Sequence, residues 1–272
     1  MSGEPGGRGG DGSGEDLPPF SRTRYRWFMA YVRWYLRRQF HALRLLAGTA
    51  PEIGDEPVLV YTNHPGWWDP LVFLLVADSL YPDRLNYGPI DATALGKYRF
   101  LETIGFVGID SGSRAGARRF LATAAASLRR SDTIYWVTAH GTFVDPRERP
   151  VRIRPGVAHA VAAASRGMVV PMAVEYPFWS ERFPEAIVAF GEPMRIGDHP
   201  GRDTRAWTTE LEKALEAAQD RLASAAIARD PGAFSALALG RAGVGGIYDL
   251  VRRLGAFARG ESFDAAHGRG RS

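Results

Sequence analysis

The sequence predicts an α/β protein, with a mostly parallel central sheet flanked by helices, an N-terminal amphipathic helix and C-terminal helices. Three observations lead there. Between about residues 57 and 196, short apolar runs alternate with stretches of helical periodicity, the pattern of parallel strands joined by crossover helices. Gly, Pro and polar residues gather just after several of those runs, at the strand ends where open parallel sheets bind ligands. Residues 21–47 stand apart as an acid-free stretch of interleaved arginine and aromatic residues.

The elements follow in order. Residues 1–20 are Gly-rich, carry scattered acids and have no apolar core, so they read as a disordered tail without the features of a secretory signal. In 21–47, helical spacing puts Phe28, Val32, Tyr35, Leu36, Phe40 and Leu43 on one face and Arg26, Arg33, Arg37, His41 and Arg44 on the other. Three roles suit such a helix: lying in a membrane interface, packing on the domain with a solvated basic face, or serving as a nucleic-acid arm. Strands are expected at 58–62, 85–90, 106–109, 133–138, 168–175 and 186–190, and helices at 70–81, 92–104, 113–130 and 156–166. A helix with mixed charges follows at 207–229, then a second helical stretch at 233–259 weakened by Gly240, Gly243, Gly245 and Gly246. Residues 265–272 read as disordered. The domain plan is a tail over 1–20, a basic amphipathic membrane-interface helix over 21–50, an α/β core over 51–200, a C-terminal helical extension over 201–260 and a tail over 261–272.

Composition bounds the function. At 272 residues, with 45% hydrophobic and 24% charged residues, the chain has the make-up of a globular protein. It has no cysteine, which removes disulfides, cysteine-based zinc sites and thiol catalysis. The net charge of +4 is compatible with anionic lipid, nucleotide-bearing substrates or nucleic acid, and does not choose among them. Nearly all the cations are arginine; Lys97 and Lys213 are the lysines. No apolar stretch reaches the ~18–20 residues needed to span a bilayer.

The most informative segment is Asn63-His64-Pro65-Gly66-Trp67-Trp68-Asp69-Pro70. It places a histidine and an aspartate five residues apart, on a loop between a predicted strand and a predicted helix. A histidine held by a carboxylate is a general base near neutral pH. Two plainer readings stand beside it: Asp69-Pro70 suits a helix start, and His64 alone could be a satisfied core histidine. Three other segments fall on the same expected sheet edge: Gly105-Phe106-Val107-Gly108-Ile109-Asp110-Ser111 with Arg114 nearby, Ala139-His140-Gly141-Thr142-Phe143, and Val169-Val170-Pro171. The segment 145–154 is dense in arginine (Arg147, Arg149, Arg152, Arg154), whose planar fork suits phosphate; it reads equally well as a solvated loop.

In order and spacing these four blocks resemble the glycerolipid acyltransferases related to lysophosphatidic acid acyltransferase, over about residues 57–197. His64 to Asp69 matches the family's His-x4-Asp block. Gly105 to Asp110 matches its second block, except that Ser111 replaces an Arg. The third block, a Pro-Glu-Gly-Thr-Arg-type turn, keeps Gly141 and Thr142, while Ala139, His140 and Phe143 replace the Pro, Glu and Arg. Val169-Val170-Pro171 matches the fourth.

The resemblance implies an O-acyltransferase. His64 and Asp69 would be catalytic, His64 taking the proton of the attacking alcohol and Asp69 fixing the imidazole tautomer. Transfer would be direct, which agrees with the absence of Cys and of a Gly-x-Ser-x-Gly elbow. Substrate contacts would come from Asn63, Asp110, Ser111, Arg114, His140, Gly141, Thr142, Arg147 and Arg149. The donor would be acyl-CoA or an acyl carrier protein thioester, acting as co-substrate with no cofactor and no metal. The acceptor would be a lysophospholipid such as 1-acylglycerol-3-phosphate, in phospholipid biosynthesis. The altered second and third blocks also fit a non-phosphate acceptor, such as a glycolipid or isoprenoid glycoside, or a membrane-binding protein that keeps the fold without activity. With a lipid substrate, the helix at 21–47 reads as a membrane anchor rather than a nucleic-acid arm, placing the protein peripherally on the cytoplasmic face of the cell membrane.

Overall fold

A computed structural model describes residues 17–242. The chain runs α1 (Arg22–Gln39), β1 (Ala42–Leu46), β2 (Val58–Thr62), α2 (Asp69–Leu80), β3 (Leu85–Asp91), α3 (Ala92–Lys97), β4 (Phe106–Ile109), α4 (Arg114–Leu128), β5 (Thr133–Thr138), α5 (Gly156–Ala163), β6 (Met168–Glu175), β7 (Glu185–Phe190), β8 (Met194–Arg195), α6 (Thr204–Ala228) and β9 (Phe234–Leu239). The strands form one nine-stranded sheet in the order β4-β3-β5-β2-β6-β7-β1-β9, with β8 pairing to the start of β6. The sheet is mixed but mostly parallel: β4-β3, β3-β5, β5-β2, β2-β6 and β7-β1 run parallel, while β6-β7, β1-β9 and β6-β8 run antiparallel.

β2 lies near the middle, parallel to β5 and β6, and all five of its residues are buried. That explains its unbroken apolar run, because a central parallel strand is covered on both faces. On one face Val58 and Val60 pack with α1 and α2 through Met29, Val32, Leu36, Val72 and Leu75. On the other, Leu59 and Tyr61 pack with α4, α5 and α6 through Ala124, Val157, Val161, Trp207 and Leu211. α2 is apolar nearly all round and buries every residue from Val72 to Ala77, as a helix enclosed by its neighbours must.

Four expectations are corrected. The first helix stops at Gln39 rather than continuing to 47, and Ala42–Leu46 is strand β1. Pairing with β7 and β9 supplies that segment with two ladders, and Arg44 finds the buried carboxylate of Glu185 at 2.9 Å. Such tertiary partners outweigh local helix propensity. The buried face of α1 is also shifted: Tyr25, Met29, Val32 and Leu36 point inward. Second, the helix expected over 92–104 breaks at Tyr98, where α3 gives way to a 3₁₀ turn, Arg99–Ile104. The turn ends at Gly105 with φ +102°, where a Cβ would lie 1.9 Å from the Asn86 carbonyl oxygen, so only glycine fits the entry to β4. Third, residues 234–239 of the stretch expected to be helical form β9, the antiparallel cover of β1's outer edge. The rest of that stretch, from 243, residues 1–16 of the tail expected over 1–20, and the tail expected over 261–272 lie outside the described residues. Fourth, residues 17–20 do not form a free tail: the Phe20 ring packs against Tyr25 and Tyr87, and the Pro18 carbonyl accepts from the Tyr87 hydroxyl.

Candidate active site

The central strand delivers the site. β2 ends at Thr62, and Asn63 extends its link to β6 by a side chain: the Asn63 Nδ2 donates to the Val174 carbonyl at 3.0 Å, and its Oδ1 accepts from the Val174 N–H at 2.8 Å. Both ends of this buried amide are thus engaged with backbone. Asn63 braces the strand end and turns His64 out at the edge of the sheet.

His64 Nδ1 lies 2.5 Å from Asp69 Oδ2. The Asp69 side chain has no solvent exposure, while the His64 side chain keeps 17%. The Gly66 N–H donates to the same Asp69 oxygen at 3.2 Å. The other oxygen, Oδ1, accepts from the Tyr176 hydroxyl at 2.5 Å. Asp69 is the first residue of α2, with Pro70 second, yet no side chain caps that helix. The carboxylate turns back to its loop instead. Because Asp69 holds Nδ1–H, the neutral imidazole presents the lone pair of Nε2 on its other side.

His140 stands beside His64. In the β2-β5 register Thr62 faces Thr138, and each histidine lies two residues further on; the Ala139 N–H continues the ladder to the Thr62 carbonyl at 2.8 Å. His140 is buried, and its Nδ1 has no hydrogen-bond partner. Burial and the neighbouring His64 both push its pKa down, so it stays neutral at physiological pH. Gly141 takes a φ of +64°, and a Cβ there would meet the Arg154 side chain at 2.9 Å. Thr142 is exposed. The turn then folds back: the Val144 N–H donates to the His64 carbonyl at 3.0 Å, and the Phe143 ring lies 4.5 Å from the His64 ring.

The remaining expected site residues divide. Asp110 accepts from the Gly112 N–H in a local turn, and Ser111 and Arg114 are exposed at the start of α4. Among the described residues, no hydrogen bond or ion pair joins these three to His64 or Asp69. Arg147 forms a two-bond pair with Asp145, Arg149 reaches Asp220 at 3.0 Å through Nε, and Arg152 reaches Glu212 at 3.1 Å. The arginine-dense segment is therefore tied to α6 and largely charge-compensated. Arg154 lies against Gly141 and has no acidic partner among the described residues.

Two contacts of the histidine-aspartate pair were not legible in the sequence. Tyr176 follows β6, 107 residues beyond Asp69, and nothing local ties it to that carboxylate. Phe143 occupies a motif position where the resemblance leads one to look for a charge. A narrow apolar cleft opens where β3 parts from β5, lined by Pro70, Phe73, Leu74, Pro89, Phe106 and Trp136, with Thr138 also on its wall.

A family model described as Acyltransferase matches residues 37–175, just over half of the chain. That span includes β2, the His64–Asp69 loop, the 139–143 turn and all of β6. No curated protein matches the chain.

Glu175, at the end of β6, offers a test of the local electrostatics. Burial pushes its pKa up from 4.5 to about 7, against the pull of Arg149 and Arg147. The folded chain then binds this proton more tightly than the unfolded chain does, so stability falls as pH rises from about 4.5 to about 7. Thermal denaturation of Glu175→Gln should lose that part of the pH dependence, and above pH ~7 the variant should melt higher than the wild type. Parallel melting curves for the two proteins across this range would show that Glu175 is an ordinary surface acid.

Proposed function

The chain belongs to the acyltransferase family and is an acyl-transferring enzyme, and from that premise we propose that it moves a fatty acyl group from an acyl thioester, on coenzyme A or an acyl carrier protein, to the hydroxyl of a lysophospholipid such as 1-acylglycerol-3-phosphate. One observation carries this reading: an imidazole at the edge of a parallel sheet, held through Nδ1 by a fully buried carboxylate, with its second nitrogen turned away. Nε2 takes the hydroxyl proton as the acceptor oxygen attacks the thioester carbonyl carbon. Asp69 stabilises the resulting imidazolium. Collapse of the tetrahedral intermediate breaks the C–S bond, and the thiolate leaves with the proton returned from His64. The oxyanion would be met by backbone N–H groups of the turn after Gly141, since the Gly141 N–H itself donates to the Thr138 carbonyl. The apolar cleft beside Pro70 suits the hydrocarbon end of the donor.

A phosphate on the acceptor would be met by Arg154, which faces the Gly141 turn with no acidic partner among the described residues. A second reading, a non-phosphate acceptor such as a glycolipid, is favoured by other facts. Arg147 and Arg149 are paired to acids, His140 is held neutral, and Phe143 fills the rim of the site.

The site also has a lipid-facing setting. α1 packs on the core through Tyr25, Met29, Val32 and Leu36 and exposes Trp27, Tyr31 and Trp34, together with Arg24, Arg26, Arg37 and Arg38. A train of ring contacts runs from Phe100 through Phe28, Tyr31, Tyr35 and Trp68 to the exposed Trp67, next to the catalytic loop. Aromatic rings flanked by arginine suit the headgroup layer of an anionic membrane. Among the described residues, no helix is long and apolar enough to cross a membrane. On the strength of the aromatic and arginine side of α1, we propose a peripheral position on the cytoplasmic membrane surface, with the His64 edge toward the lipid.

His64→Ala should lower acceptor-dependent release of coenzyme A from palmitoyl-CoA by at least ~100-fold while leaving the melting temperature nearly unchanged. Normal turnover in a folded variant would rule out His64 as the base. Thioester hydrolysis without an acceptor would mark a hydrolase, and no turnover with any lysolipid or glycolipid would favour a binding protein. Replacing Trp27, Tyr31 and Trp34 together by Ala should abolish flotation with anionic vesicles; undiminished flotation would place the membrane contact elsewhere.

A further inference from the structure

We propose that Tyr176 is a positioning residue for the histidine base, its hydroxyl fixing the carboxylate that holds His64. This rests on the reading of His64 given above. Asp69 has no solvent exposure, and its two oxygens divide their donors unequally. Oδ2 accepts from His64 Nδ1 and the Gly66 N–H, while the Tyr176 hydroxyl is the partner of Oδ1. A buried carboxylate oxygen without a donor is costly, and a carboxylate held at one oxygen can swing about its Cβ–Cγ bond. Tyr176 closes both problems from outside the loop. Its ring lies 5.6 Å from the Phe40 ring, and a Cβ added at Gly66 would meet it at 3.7 Å, ordinary van der Waals distance.

The connection joins distant parts of the chain. His64 follows β2, Asp69 begins α2, and Tyr176 follows β6, the strand beside β2. The Asn63–Val174 bonds lock those two strand ends together two residues before Tyr176. The hydroxyl therefore arrives at Asp69 from a rigid element, which keeps the imidazole aimed while substrate enters. It also has an electronic effect. A donor on Oδ1 draws charge from the carboxylate and weakens its hold on a proton shared with His64. Burial and the Asp69 charge push the Tyr176 pKa well above its ordinary value, so it remains a donor across the working range. Loss of the hydroxyl should thus raise the proton affinity of the pair as a whole, however the proton is divided between its members.

The test uses the full chain and keeps the ring, with Tyr176→Phe, His64→Ala, Asp69→Asn and the Tyr176→Phe/Asp69→Asn double variant. Two readouts are taken: the His64 titration by heteronuclear NMR, which needs no substrate, and coenzyme A release from palmitoyl-CoA with 1-acylglycerol-3-phosphate or a glycolipid acceptor. In Tyr176→Phe the His64 midpoint should move up by about one pH unit, and the acidic limb of kcat/KM should move with it. Turnover should fall about tenfold with KM little changed, and the substitution should cost nothing further once Asp69 is Asn. An unmoved midpoint, or a loss that adds fully to that of Asp69→Asn, would overturn the proposal and leave Tyr176 a packing residue, whatever happens to the melting temperature. Full activity in His64→Ala would instead overturn the base assignment on which the proposal rests.

Discussion

A carboxylate with no access to water needs a donor for each oxygen, and Asp69 draws its donors from three places: the histidine five residues before it, the backbone of Gly66, and a tyrosine at the end of another strand. The rest of the architecture serves that requirement. β2 must lie between β5 and β6 for its end to meet both the His140 turn and Tyr176. α2 must begin at Asp69, so the turn through Pro65 and Gly66 brings the carboxylate back under the imidazole. A sheet with β2 at its edge would expose Asp69 to solvent and loosen the tautomer it fixes.

What the sequence revealed follows from which interactions are local. β2, β4, β5 and β6 lie where their apolar runs placed them, because strands covered on both faces must be apolar throughout. The contact between His64 and Asp69 was legible for the same reason, since both partners sit in one loop. β1 and β9 were not. Each is a short Ala- and Leu-containing segment whose strand character comes from distant pairing, β1 with β7 and β9 and β9 with β1, and such segments carry no period that separates strand from helix. Tyr176 was hidden by the same distance. The arginine segment was open to two readings because the acids that engage it, Glu212 and Asp220, lie on α6.

The surroundings of the pair are less charged than the arginine content suggests. Arg147, Arg149 and Arg152 are taken up by acids, His140 is buried and neutral, and Phe143 closes over the imidazole. The exposed aromatic side of α1 reaches the same loop through Trp68, so the element that would meet lipid and the element that would do the chemistry share one packed seam.

In the proposed mechanism the held imidazole activates the acceptor hydroxyl directly, with no nucleophile on the enzyme. Rapid quenching during turnover of palmitoyl-CoA, followed by intact mass measurement of the chain, tests it most directly. Direct transfer predicts a chain of unmodified mass at every time point while acylated acceptor accumulates. An acyl adduct on the protein that forms with the donor alone and disappears when acceptor is added would contradict it.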